Sequence, residues 1–121
     1  MMPRTFVRGS AGETTILLRQ GLDFDVALRE VTFILSRNNF EPEVIQSEVG
    51  YIRTRWNHTW NARQRTTEEY RVRIIAYFNP SRTQLILDAE AEFRRGGRWI
   101  RGFDTRAVET LRRDLNNVVG N

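Results

Sequence analysis

The chain contains no cysteine, which excludes a disulfide framework, a zinc–thiolate centre and a thiol nucleophile. It also lacks lysine, so all 19 basic residues are arginine, whose guanidinium stays charged and pairs with carboxylates in a forked geometry. One histidine, His58, is too few for a metal site or for histidine-based acid–base chemistry. No metal and no cofactor is expected. No apolar run approaches the ~18 residues of a membrane span, and residues 1–5 lack the apolar core of a signal peptide. What remains is 121 residues, 40% hydrophobic and 11% aromatic, the size and composition of one globular domain. The net charge of +4 tilts the balance only slightly toward an anionic partner.

Residues 1–13, with Pro3, Gly9, Ser10 and Gly12, read as a loose arm. A short strand over 14–20 breaks at Gly21. Asp23 then caps a helix over 23–37, whose Phe24, Ala27, Leu28, Val31, Ile34 and Leu35 share one face. Asn38-Asn39 ends it. A weaker strand over 43–49 turns at Gly50 into an alternating strand in which Ile52, Thr54, Trp56, His58 and Trp60 point one way and Tyr51, Arg53, Arg55 and Asn57 the other. A polar connection is expected over 61–67. Alternation returns over 68–79, with Tyr70, Val72, Ile74, Ala76 and Phe78 opposite Arg71, Arg73, Ile75 and Tyr77. It continues over 83–94, with Leu85, Leu87, Ala89, Ala91 and Phe93 inward and Gln84, Ile86, Asp88, Glu90 and Glu92 outward. Gly96-Gly97 turns into a short strand at Trp99-Ile100. Asp104 or Thr105 caps a last helix with a stripe of Val108, Leu111, Leu115 and Val118, closed by Gly120. The pattern describes a single α+β domain over 14–121: an antiparallel sheet of four or five strands with two helices packed on one face.

Hairpin pairing sets Arg71 and Arg73 beside Asp88, Glu90 and Glu92, so the arginine face is partly neutralised by its own sheet. Arg53, Arg55, Arg71 and Arg73, with Tyr51, Tyr70 and Tyr77 as stacking candidates, could otherwise read phosphates. Tyr70 points inward, however, and neither a ribonucleoprotein-type aromatic motif nor a helix-turn-helix pattern is present. Trp56 and Trp60 could flank a binding tip, but alternation sends both inward over the core, with His58 between them. The basic run over 94–101, with Arg95, Arg98, Trp99 and Arg101, could touch anionic lipid headgroups or form a solvated hairpin tip. Its Gly96-Gly97 pair has neither the spacing nor the lysine of a phosphate-binding loop. Asp88 and Glu90 lie two apart on one strand, with nothing to raise a carboxyl pKa for acid catalysis.

Leu22-Asp23 with its helix, Asn39-Phe40, residues 50–56, Trp99 with Asp104-Thr105-Arg106, and Val118-Val119-Gly120 together resemble BamC-like domains of bacterial cell-envelope lipoproteins over about residues 14–120. The resemblance implies a helix-grip arrangement and a noncatalytic scaffold or interaction module. It carries over no functional residue, and the chain lacks a lipobox cysteine. With a leader removed the setting is the periplasm or the outer membrane, and otherwise the cytoplasm. The function expected is therefore a noncatalytic envelope binding or scaffold module with a protein partner. Contact would run through Arg53, Arg55, Arg71, Arg73 and Tyr77, or through Arg95, Arg98, Trp99 and Arg101. The alternatives are an arginine-rich nucleic-acid binder and a small-ligand carrier, the latter disfavoured by Phe24, Phe33, Trp56 and Phe78 filling the interior.

Overall fold

A computed structural model of the chain describes residues 3–9, 12–60 and 69–121. The elements run β1 (Phe6–Arg8), β2 (Glu13–Leu17), α1 (Phe24–Arg37), β3 (Pro42–Gln46), β4 (Tyr51–Thr54), β5 (Tyr70–Phe78), β6 (Gln84–Arg95), β7 (Arg98–Asp104) and α2 (Thr105–Val119). This is an α+β fold with one antiparallel sheet and two helices. The sheet has seven strands, in the order β1-β7-β6-β5-β4-β3 with β2 also on β6, where four or five were expected. The difference comes from short marginal strands. Three residues of β1, inside the segment expected as a loose arm, pair with β7 and bury Phe6, and so brief a strand leaves no readable periodicity. The polar connection expected over 61–67 lies outside the described residues, as do Ser10 and the first residue of the strand expected from 68.

Alternation places the core as expected along the two long strands. Tyr70, Val72, Ile74, Ala76 and Phe78 of β5, and Leu85, Leu87, Ala89, Ala91 and Phe93 of β6, are all buried. The helices cover that face. Asp23 caps α1 by accepting a hydrogen bond from the Val26 amide at 3.1 Å, and Val31 and Leu35 are completely enclosed. Each such side chain contributes about 1.5–3 kcal/mol of transfer free energy. In α2 the enclosed stripe is Ala107, Leu111, Leu115 and Val119, with Val108 and Val118 half-buried beside it, a small rotation from the expected stripe. Phe33 was expected inside and is 59% exposed. Two positions beyond Val31 it stands about 200° around the helix and cannot reach the sheet. Phe40 and Phe93 fill the space between helices and sheet instead.

One irregularity decides where the tryptophans go. Arg53 pairs with Ile75, but Asn57 pairs with Val72, so the β4 side carries one residue more than β5 across this stretch. Thr54 bridges the gap, its hydroxyl accepting from the Ile74 amide at 2.9 Å. Because side chains alternate with a period of two, one extra residue inverts the side chains that directly follow it. Asn57 is turned inward, donating to the Asn39 carbonyl at 3.3 Å, and Trp56 is turned out to the uncovered face.

Candidate functional site

The face of the sheet turned away from the helices is organised by register, because residues directly opposite in an antiparallel pair share a face. Across β2, β6, β5, β4 and β3 one row comprises Thr15, Ile86, Tyr77, Tyr51 and Gln46. The neighbouring row comprises Glu13, Asp88, Ile75, Arg53 and Val44. Further along the strands, β7 replaces β2 beside β6, giving Phe103, Glu90 and Arg73, then Arg101, Glu92 and Arg71. The face is thus divided, with an apolar and aromatic row at one end and ion-paired rows at the other. The apolar row runs out into a cleft of about 420 Å³ between Gln46, Glu48 and Val49 on one side and Asn79, Pro80 and Arg82 on the other.

The ion-paired rows are tightly committed. Arg71 donates through Nε to Glu92 Oε1 at 2.9 Å, and Arg101 Nε reaches the other oxygen of the same carboxylate at 3.1 Å. Arg73 Nε donates to Glu90 Oε1 at 2.7 Å. The Arg71 guanidinium also lies 4.3 Å from the centre of the Trp56 ring and 4.0 Å from that of Trp99, while Arg73 lies 4.4 Å from Trp56. Each such contact draws the cation to the negative face of the indole. Trp56, the three arginines and the two glutamates line a cleft of about 180 Å³. Trp56 was expected under the helices and is part of this site, because of the extra residue after Arg53. His58 is exposed, not enclosed between the two indoles. Trp60 alone takes the inward position, packing on Phe40 with ring centres 5.1 Å apart.

The site residues expected from the sequence therefore fall into three groups. Arg71, Arg73, Trp99 and Arg101 are brought together around Glu90, Glu92 and Trp56. Tyr77 and Arg53 lie at the apolar end, where Arg53 meets Glu43 only at 3.9 Å and its Nε is buried without a hydrogen-bond partner. Arg55 stands exposed beyond the end of β4, and Arg95 and Arg98 flank the Gly96-Gly97 turn. Both of those glycines have positive φ, 58° and 79°, as a two-residue hairpin turn requires. Of the apolar row, Tyr77 was expected as a contact residue and Tyr51 as a stacking candidate, whereas Ile86 and the continuity of the row were missed. The row's signal was present in Ile75 and Ile86, two isoleucines on strand positions that point outward.

At the β2 edge, acids collect. Glu13 sits directly opposite Asp88, with Glu90 two residues on. Burial, then Glu90 and Glu13, push the Asp88 carboxyl above its ordinary range. Burial, then Glu13 and Asp88, likewise raise the Tyr77 phenol. A raised carboxyl pKa means that the folded chain holds the Asp88 proton more tightly than the unfolded chain does. Ionised Asp88 therefore opposes folding at neutral pH, and this opposition disappears as pH falls through the folded-state pKa. Asp88→Asn is expected to raise the thermal midpoint at pH 7, with the gain vanishing below the unfolded value of 3.8. Paired melts of the two proteins at neutral pH and near pH 3 check this, and a variant less stable at pH 7 would contradict it.

No family model matches the chain, and no curated protein matches it.

Proposed function

We propose that this chain is a noncatalytic binding module that engages a protein partner through the open face of its sheet, in the bacterial cell envelope. The observation that carries the reading is the commitment of the charges in the ion-paired rows. The Arg71, Arg73 and Arg101 guanidiniums are held by Glu90 and Glu92. A phosphate would have to displace those carboxylates, which disfavours the nucleic-acid reading. The same carboxylates are engaged by arginine and are poorly placed to act on a substrate. What the face offers is a broad surface of half-buried aromatic and aliphatic groups with a polar, neutralised border, the composition of a protein contact. The envelope setting rests on the resemblance of residues 14–120.

The test is capture from envelope extracts by the purified chain. A specific protein should be retained by the wild type and by Arg112→Ala on the exposed surface of α2, and lost with Trp99→Ala or Tyr77→Asp. Retention indifferent to the face variants, or no specific capture, removes the proposal.

A further inference from the structure

The geometry points to a second copy of this chain as an occupant of the open face, the two sheets packing face to face about a two-fold axis that runs parallel to the strands between β5 and β6. This deepens the binding-module reading and rests on the same face being a contact surface.

The argument is the self-complementarity of the rows. The outward residues of β5 include Arg71 and Arg73, and those of β6 include Asp88, Glu90 and Glu92, in adjacent columns at matched heights. A two-fold axis between the columns, lying in the plane of contact, keeps each row at its own height and exchanges its two sides. Arg71 of one copy then lies over Glu92 of the other, Arg73 over Glu90, and Tyr77 over Ile86. One strand further out, Arg53 on β4 lies over Glu13 on β2, and Tyr51 over Thr15. Trp56, which the Asn57–Val72 bridge sets beside Arg73, comes over Phe103 on β7.

The outermost of these charge matches answers two deficits within the single chain. Glu13 has no ion pair among the described residues and faces the like charge of Asp88 across the strands. Arg53 has only its long contact to Glu43 and a buried Nε without an acceptor. Burial, and after it the charges of Glu90 and Glu13, hold the Asp88 carboxyl above its ordinary range at the same place. The other in-plane two-fold, perpendicular to the strands, lays β5 over β5 and β6 over β6, which sets the arginine column against itself and the acidic column against itself.

The area is adequate. Five strand positions at ~4.8 Å spacing and nine residues at ~3.3 Å rise give a face of about 700 Å², against ~800 Å² per partner in ordinary stable interfaces. Two sheets stacked ~10 Å apart with strands aligned within ~30° are an ordinary packing geometry.

Sedimentation of the purified full chain tests this. A reversible dimer is expected at micromolar concentrations, weakening as salt is raised. Arg53→Glu and Glu13→Arg should each weaken it by about tenfold or more, and the two together should restore it. Ile86→Arg, on a half-exposed outward position, should yield a monomer whose circular dichroism matches the wild type. A wild-type chain that stays monomeric at about 100 µM in low salt overturns the inference, as does a dimer indifferent to both charge reversals. A monomeric chain that still captures an envelope protein through Tyr77 and Trp99 would assign the face to that partner, so self-association would fall while the binding-module reading stood.

Discussion

Asp104→Ala is expected to lower stability by about 4 kcal/mol, with a fall in thermal midpoint of roughly 15 °C. Asp104 ends β7 and caps α2, and it is completely buried. Its Oδ1 accepts from the Ala107 amide at 2.8 Å and from the Trp60 indole at 3.1 Å, and its Oδ2 accepts from the Thr5 and Tyr70 hydroxyls, each at 2.6 Å. One carboxylate thus joins the N-terminal segment, the residue after the bulge, the start of β5 and the start of α2. Burial and the neighbouring Asp104 charge raise the Tyr70 phenol far above its ordinary range, so it remains a donor at any ordinary pH. Truncation would orphan four donors at ~1–3 kcal/mol each where they are dry, partly offset by removal of a buried charge. A helix cap alone is worth only ~1 kcal/mol, so Asp104→Ser, which keeps a cap, separates the two contributions. If the alanine and serine variants melt within a degree or two of each other and of the wild type, the carboxylate is not the junction described.

Gly102→Ala should cost about 3 kcal/mol, a midpoint shift of about 10 °C. Gly102 faces Arg8 where β7 pairs with β1. A Cβ there would run into the Val7 carbonyl oxygen and approach the Phe6 ring at 2.6 Å. The ring can tilt, but a backbone carbonyl inside a ladder has nowhere to go, so β1 must separate from β7. That exposes Phe6, whose ring packs edge-on against Phe93 with centres 4.8 Å apart, and loosens the Thr5 contact with Asp104. Hydrogen exchange should accelerate at the Gly9 and Thr105 amides, which donate to Arg101 and Thr5. Unchanged exchange with an unchanged midpoint would mean that the strand absorbs the methyl group.

Both effects concern the N-terminal segment, which was illegible in the sequence. Phe6 is the only large apolar residue that β1 buries, and a strand of three residues shows no period. Its role depends on Gly102, almost a hundred positions later, having no side chain. The long strands were legible for the converse reason. Alternation along the two long strands leaves one arrangement that buries most of their apolar side chains, and the neighbourhood of arginine and acid then follows from the hairpin. That Arg71 and Arg73 lie beside Asp88, Glu90 and Glu92 could be read from the sequence, and the register then gave Glu92 to Arg71 and Glu90 to Arg73. The position of Trp56 could not be read, because a bulge breaks the alternation at a point chosen by pairing with the neighbouring strand and leaves no mark in the residue pattern.

The amino-acid sequence alone determined the two capped helices, the buried faces of β5 and β6, and the neutralised arginine rows, all set by local periodicity and by pairing between strands joined through a short turn. Tertiary structure decided the rest: the seventh strand, the inversion that carries Trp56 to the open face, the four-way junction at Asp104, and the aromatic row from Thr15 to Gln46. These depend on which distant segments lie opposite one another. Register between strands far apart in the chain is chosen by the packing of the whole domain, and no local pattern encodes it.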